Sequence, residues 1–245
     1  MNLSEIPADT LIGRILRQPL KLIPSNAAMP ILQGRLRGKR WLAGAHTHGC
    51  WLGSYEIEKQ KLFESKVRPR DTVFDIGANA GFYTLLASDL VGDAGHVYAF
   101  EPVPRNTHFL HEHLRLNKVG NVEVIELAVS DRSGDTYFDD TPGSAMGHLA
   151  VTGRLKVQTV SIDELISEGN ILPPNCMKID VEGGEFLVLS GAKSTLLDHH
   201  PIIFLATHGA QVHEQCCDLL RSLGYQIEGL GGASIQCDEL IAYAQ

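Results

Sequence analysis

From Arg70 onward the apolar and polar positions of the chain switch between two periods. Short runs rich in β-branched and aromatic residues occupy 72–76, 96–101, 121–128, 176–181 and 201–206, and read as strands. Between them 81–91, 104–118, 184–197 and 210–223 repeat apolar residues at helical spacing. Such alternation predicts a mostly parallel sheet with helices on both faces. The end departs from it. Runs at 225–230 and 239–244 flank Gly231-Gly232 with no helix between them, which predicts a closing antiparallel hairpin and seven strands in all.

The first part of the chain is less regular. Leu11, Ile12, Ile15 and Leu16 mark a helix over 9–18 with Asp9 or Thr10 as cap, and Pro24 and Pro30 then impose irregular chain. Residues 54–65 predict a helix with Ile57, Leu62 and Phe63 inward. Residues 1–65 are read as an N-terminal cap on a body formed by 66–245. Within that body 131–165 interrupts the alternation, with turn clusters at 132–135 and 141–144 and a strand-like run at 155–161. Extra hairpin structure there is expected to project over the ligand edge and select substrate.

Composition narrows the partners. The net charge of −8 argues against nucleic acid. Residues 1–40 hold seven Lys/Arg and two acids, +5 in all, so the rest carries −8 − 5 = −13. A basic arm docked on an acidic body is the simplest reading. No apolar run has the roughly 18 residues of a spanning helix, and Arg14 and Arg17 break up the N-terminal apolar patches, so a cytoplasmic address is expected. Five scattered cysteines without a C-x-x-C pair predict reduced thiols and no zinc site.

The chemistry centres on Thr72–Thr84, TVFDIGANAGFYT, a strand running through a glycine turn into a helix. Such a turn aims backbone N–H groups at a ligand. Gly77 permits the turn, Gly81 brings helix close to strand, and Asp75 sets a carboxylate at the crevice. Glu101 follows Gly81 by twenty residues, the spacing of an acid that accepts from a ribose diol; Pro102 and Pro104 stiffen the loop beneath it. A dinucleotide turn needs a glycine where Asn79 stands, because a side chain there crowds a pyrophosphate. Asn79, spanned by Ala78 and Ala80, suits the zwitterionic tail of S-adenosylmethionine instead, with Asp75 answering its ammonium.

Seven strands closed by a hairpin resemble the class I methyltransferase fold, a Rossmann-like α/β architecture. DIGANAGFYT, FEPVPRN, LAVSD, VSIDEL and KIDVEGGEFLVLSGA, with WLGSYE before them, resemble the successive motifs of the FkbM-type methyltransferases over residues 50–210. The resemblance implies S-adenosylmethionine-dependent methylation of a small-molecule hydroxyl, with S-adenosylhomocysteine as product. It places Asp75, Gly77, Asn79, Gly81 and Phe82 at the methionine end, Glu101 at the ribose, and Ala128 and Val129, ending the third strand, at the adenine. Asp180 and Glu182 close the fourth strand and His208 the fifth, so each is a candidate base, and Asp180 equally a cofactor ligand. The glutamate that family members often carry two residues before such a histidine is Ala206 here. The three could in principle hold a divalent ion, but no metal is expected. A non-catalytic S-adenosylmethionine-binding module and a nicotinamide-dependent oxidoreductase stand as alternatives, and homo-oligomerisation stays open.

Overall fold

The computed structural model describes residues 18–139, 148–150 and 155–244. The helix expected over 9–18, apart from Gln18, and the turn cluster at 141–144 lie outside them. The described chain enters through a hairpin of β1 (Ala28–Pro30) and β2 (Arg40–Leu42), then α1 (Gly49–Leu52) and α2 (Ile57–Lys66). Alternation follows: β3 (Thr72–Ile76), α3 (Phe82–Val91), β4 (His96–Phe100), α4 (Pro104–Leu116) and β5 (Val122–Ile125). A second set comprises β6 (Ala128–Val129), β7 (Gly134–Asp139), β8 (His148–Ala150) and β9 (Leu155–Val160). The remainder is α5 (Ile162–Ser167), β10 (Cys176–Ile179), α6 (Glu185–Ser190), α7 (Lys193–His199), β11 (Ile202–Ala206), α8 (Ala210–Ser222), β12 (Tyr225–Gly229) and β13 (Glu239–Ala244).

The seven-stranded sheet has the order β12-β13-β11-β10-β3-β4-β5. Its strands run parallel except β13, which is antiparallel to both β11 and β12. This is the class I methyltransferase architecture. From β3 the chain winds outward through β4 to β5, then returns to β10 and winds the other way. That reversal opens a crevice beyond the carboxyl ends of β3 and β10, where ligands of open α/β sheets bind.

Successive strand residues face opposite sides and build two cores. Val73, Val97, Ala99, Cys176 and Phe204 pack with α3 and with Trp41, Trp51 and Phe63 of the N-terminal segment. Phe74, Ile76, Met177, Ile179 and Leu205 pack with Ile162, Val188 and Leu220 on the other side. Arg35 and Lys39 of the basic segment reach Asp89 on α3 at 2.6 and 3.5 Å, so part of the arm is docked on the body. Among the described residues no helix is long and apolar enough to cross a membrane.

Three expectations are corrected. Ala128 and Val129 do not end the third strand: β5 stops at Ile125, and β6 pairs with β9 in a separate four-stranded sheet of order β6-β9-β7-β8. The helix expected over 184–197 is two, α6 and α7, since the backbone leaves helical geometry at Ala192 (φ −122°, ψ 14°), next to Gly191, where a Cβ would be 2.1 Å from the Ser130 carbonyl oxygen. Gly81, at φ +88°, makes room for Leu110 of α4 rather than for the strand, since a Cβ there would meet Leu110 Cδ1 at 2.3 Å.

Candidate active site

A cleft of about 620 Å³ opens at the crevice between β3, β4 and β10. Small-molecule sites span roughly 300–1,000 Å³. One side is the turn after β3. Gly77, at φ +80°, lies so close to β10 that a Cβ would stand 1.9 Å from the Asp180 carbonyl oxygen. Asn79 is held at φ +49°, and its Oδ1 accepts from the Ala80 N–H at 2.7 Å. The helix cap is Gly81, not Asn79.

The amides of this turn are spoken for, contrary to the sequence expectation. Gly77 and Ala78 N–H donate to the Phe100 carbonyl, Gly81 N–H to the Ala78 carbonyl, and Asn79 N–H to Glu101 Oε2 at 2.8 Å. With Ala80 bound to Asn79, all five amides from 77 to 81 have partners. A pyrophosphate needs such donors free.

Glu101 follows β4, whose parallel register with β3 sets it under the turn. Its Oε1 accepts from Val103 N–H and the Asn106 amide at 3.0 and 3.1 Å. Burial pushes its carboxyl above the usual range, against the pull of these three donors. A carboxylate has about four acceptor positions, so one remains on Oε2 beside the Asn79 amide. Pro102, Ala128 and Val129 line the cleft, as do Gly77, Ala78, Asn79 and Phe82. Gly81 and Asp75 do not.

Asp75 faces away from the cleft, into a buried charge pair. Strand register places Lys178 beside it, on the same face, with Nζ 3.6 Å from Oδ1. Its Oδ2 accepts from the Thr84 hydroxyl at 2.6 Å. Lys178 also reaches Asp180 Oδ2 at 3.4 Å and donates to the Gly77 carbonyl at 3.3 Å. Burial opposes its charge, but Asp180, Asp75 and Glu56 outweigh that and raise its pKa. Nearby Lys59 is buried between Glu239 and Glu56, at 2.7 and 3.6 Å, and Tyr83 O–H donates to Glu56 at 2.9 Å.

Asp180 and Glu182 line the cleft; His208 adjoins both without lining it. Its Nδ1 is 2.9 Å from Glu185 Oε1, and its Nε2 lies 3.1 Å from Glu182 Oε2 and 3.9 Å from Asp180 Oδ1. The Glu185 bond, with the neighbouring carboxylates, raises His208 to about 9 against the effect of burial. The ring is therefore an imidazolium at neutral pH, unsuited to the base role expected of it. Burial works against the Asp180 carboxylate, yet Lys178, Lys59 and His208 prevail and lower its pKa. Glu182 is raised, chiefly by burial. Of the two carboxylates, Glu182 is the stronger proton acceptor.

The opposite wall was not foreseen. It comes from Trp41, Gly44–Thr47, Cys50 and Tyr55 of the N-terminal segment, whereas no described residue of 131–165 lines the cleft. Tyr55 packs edge-on against Phe82 and His46. Burial lowers the pKa of His46 and pushes the Cys50 thiol up to about 12, so the one is neutral and the other no nucleophile. This stretch has no hydrophobic period; its signal was the density of Trp, Tyr and His. Lys178 carried a plainer one, a lysine in the middle of a buried strand.

Sequence and structure comparisons agree with the fold and the crevice. The chain is 32% identical over 138 residues to the hexuronic acid methyltransferase AglP of Haloferax volcanii, covering 56% of each. It is 29% identical over 162 residues to the 31-O-demethyl-FK506 methyltransferase FkbM of Streptomyces tacrolimicus, covering 52% of this chain and 62% of that one. The chain thus spans less than two thirds of the length of these curated relatives. The crystal structure of a methyltransferase FkbM from Methylobacillus flagellatus superposes with a TM-score of 0.53 at 18% identity, over 75% of this chain and 50% of that one. Residues 75–227, which run from the end of β3 into β12 and include the glycine turn, Glu101, Ala128–Val129 and Asp180–Glu182 but not the N-terminal wall, match the model of the methyltransferase FkbM domain. The chain belongs to the FkbM methyltransferase family.

Proposed function

We propose that this protein is an S-adenosylmethionine-dependent methyltransferase that acts on a hydroxyl of a small molecule, a sugar or a related natural product. The observation that carries the reading is the glycine turn whose five amides are all engaged, set over a buried Glu101 with one acceptor position open. Such a turn has nothing to offer a diphosphate and leaves a carboxylate for a ribose hydroxyl. Relatives support transfer to oxygen: besides the 31-O-demethyl-FK506 methyltransferase, the chain is 26% identical over 149 residues to the 2-O-methyltransferase NoeI of Sinorhizobium fredii, covering 53% of this chain and 60% of that one.

In this reading Gly77, Ala78, Asn79 and Phe82 hold the methionine end, Glu101 and Pro102 the ribose, and Ala128 and Val129 the adenine. Asp75 acts at one remove, through Lys178. When bound, S-adenosylmethionine supplies a methyl group on a sulfonium leaving group. The chain's share is to align the acceptor oxygen and take its proton. Glu182 takes that proton at its carboxylate, while Lys178 keeps Asp180 ionised and facing the cleft. The wall of His46, Tyr55 and Trp41 excludes water from the acceptor side and shapes what enters.

Calorimetry with S-adenosylhomocysteine and with NADH tests this. We expect saturable binding of the former, weakened at least about tenfold by Glu101→Gln, for loss of a charge-assisted hydrogen bond. Tighter binding of NADH, or equal affinity in Glu101→Gln, would refute the assignment.

A further inference from the structure

We propose that Asp180, Glu182 and His208 form a divalent-cation site that opens into the cleft. One ligand atom from each lies within 4.8 Å of the other two. The ends of two strands converge to make it. Asp180 and Glu182 lie in the loop after β10, and His208 follows β11, the parallel neighbour of β10. Asp180 divides its oxygens, with Oδ2 toward Lys178 and Oδ1 toward His208 Nε2. Glu182 is in the left-handed region at φ +56°, a conformation that a non-glycine residue holds at a cost and that gathers at functional sites.

Two further observations point to a cation. His208 is oriented from behind: Glu185 accepts from its Nδ1 and also from the Val181 and Gly183 amides. That leaves Nε2 aimed between the two carboxylates, the carboxylate–histidine arrangement that fixes a metal-binding ring. Second, the region is short of positive charge. Asp75 and Asp180 share Lys178, Glu56 and Glu239 share Lys59, and Glu182 and Glu185 have only the His208 ring between them, six carboxylates to three cationic groups. Glu185 is fully buried and its Oε2 has no hydrogen-bond partner.

Two carboxylate oxygens and one imidazole nitrogen suit a first-row divalent ion such as Mn²⁺ better than Mg²⁺ or a thiolate-seeking ion. Because Asp180 and Glu182 line the cleft, the remaining coordination positions face the acceptor. The ion would bind an acceptor hydroxyl and lower its pKa, and the proton would pass to the Glu182 oxygen that does not hold the ion. That role rests on the methyl-transfer reading; the binding does not.

The test is calorimetric titration of the chelator-stripped full chain with Mn²⁺, with S-adenosylhomocysteine titrated separately into the same protein. One Mn²⁺ per chain is expected. His208→Gln and Glu182→Gln should each weaken it at least about tenfold, and Glu185→Gln about 10–100-fold. Unchanged S-adenosylhomocysteine affinity in the variants shows that they are folded. Absence of saturable Mn²⁺ binding up to millimolar concentration overturns the proposal, as does equal affinity in both ligand variants. S-adenosylhomocysteine binding without Mn²⁺ binding ends the metal site and leaves the cofactor reading intact; the reverse result does the opposite.

Discussion

Lys178 is a lysine almost without access to water, since its side chain is 6% exposed between Asp75 and Asp180. An ion that deep is stable only while its partners are charged and close. Removing it leaves Asp75, 1% exposed, as a buried carboxylate held by the Thr84 hydroxyl. Lys178→Met should therefore cost about 3–5 kcal/mol of stability. The double variant with Asp75→Asn should recover part of it, because the orphaned charge is gone. Urea denaturation reads both, and a loss under about 1 kcal/mol for the single variant would mean that the pair is not what holds these strands in place. None of this was legible in the motif KIDVEG alone. A lysine inside an apolar run announces a partner, but only strand register names Asp75.

The turn between β3 and α3 and the strand β10 meet through their backbones. A Cβ on Gly77 would overlap the Asp180 carbonyl, and the φ of +80° is itself unfavourable to any other residue. Gly77→Ala should thus push β10 from the turn, destabilising the fold by about 1–3 kcal/mol and abolishing measurable S-adenosylhomocysteine binding. A thermal melt with and without that ligand reads both, and an alanine variant with wild-type ligand response would show that the contact yields. Element identity was largely readable, since long helical and strand periods survive local accidents. Boundaries were not. The VSIDEL stretch shows why: Ser161 and Glu164 form a capping box that starts α5, while Asp163 caps α7 through the Ser194 and Thr195 amides. The box is a local signal open to inspection, whereas the second cap joins residues 31 and 32 positions apart.

At the scale of the molecule, His113 of α4 couples the N-terminal hairpin to the glycine turn. Its Nε2 accepts from the Leu42 N–H at 2.9 Å, its Nδ1 donates to the Ala80 carbonyl at 2.7 Å, and Trp41 stacks on the ring at 3.9 Å. Burial lowers its pKa to about 4, against the raising effect of the Ala80 bond. The folded group thus stays neutral where an unfolded histidine, near 6.5, takes a proton. Its contribution is complete above pH 6.5 and is lost as pH falls toward 4, by at most about 3 kcal/mol. Urea midpoints at pH 7 and pH 4.5 should differ less in His113→Gln than in the unmodified protein. An equal difference would place the acid sensitivity elsewhere. The same coupling explains how residues 41–55, with no periodic pattern, come to wall the cleft. They are held there by side chains of α3 and α4 that no local signal connects to them.

What the chain's order of residues determined on its own is whatever depends on near neighbours: strand and helix periods, the parallel sheet with its hairpin end, the glycine turn and the acid twenty residues beyond it. Those follow from backbone geometry and from apolar burial, which act within a few residues or over a regular repeat. Tertiary structure alone decided which groups face the cleft. It turned Asp75 inward to Lys178, closed Glu185 and Glu182 around His208, and set Trp41, His46 and Tyr55 of the N-terminal segment along the cleft. Electrostatics in a buried site depends on distances of three to four ångströms between residues far apart in the chain, and only packing sets those distances.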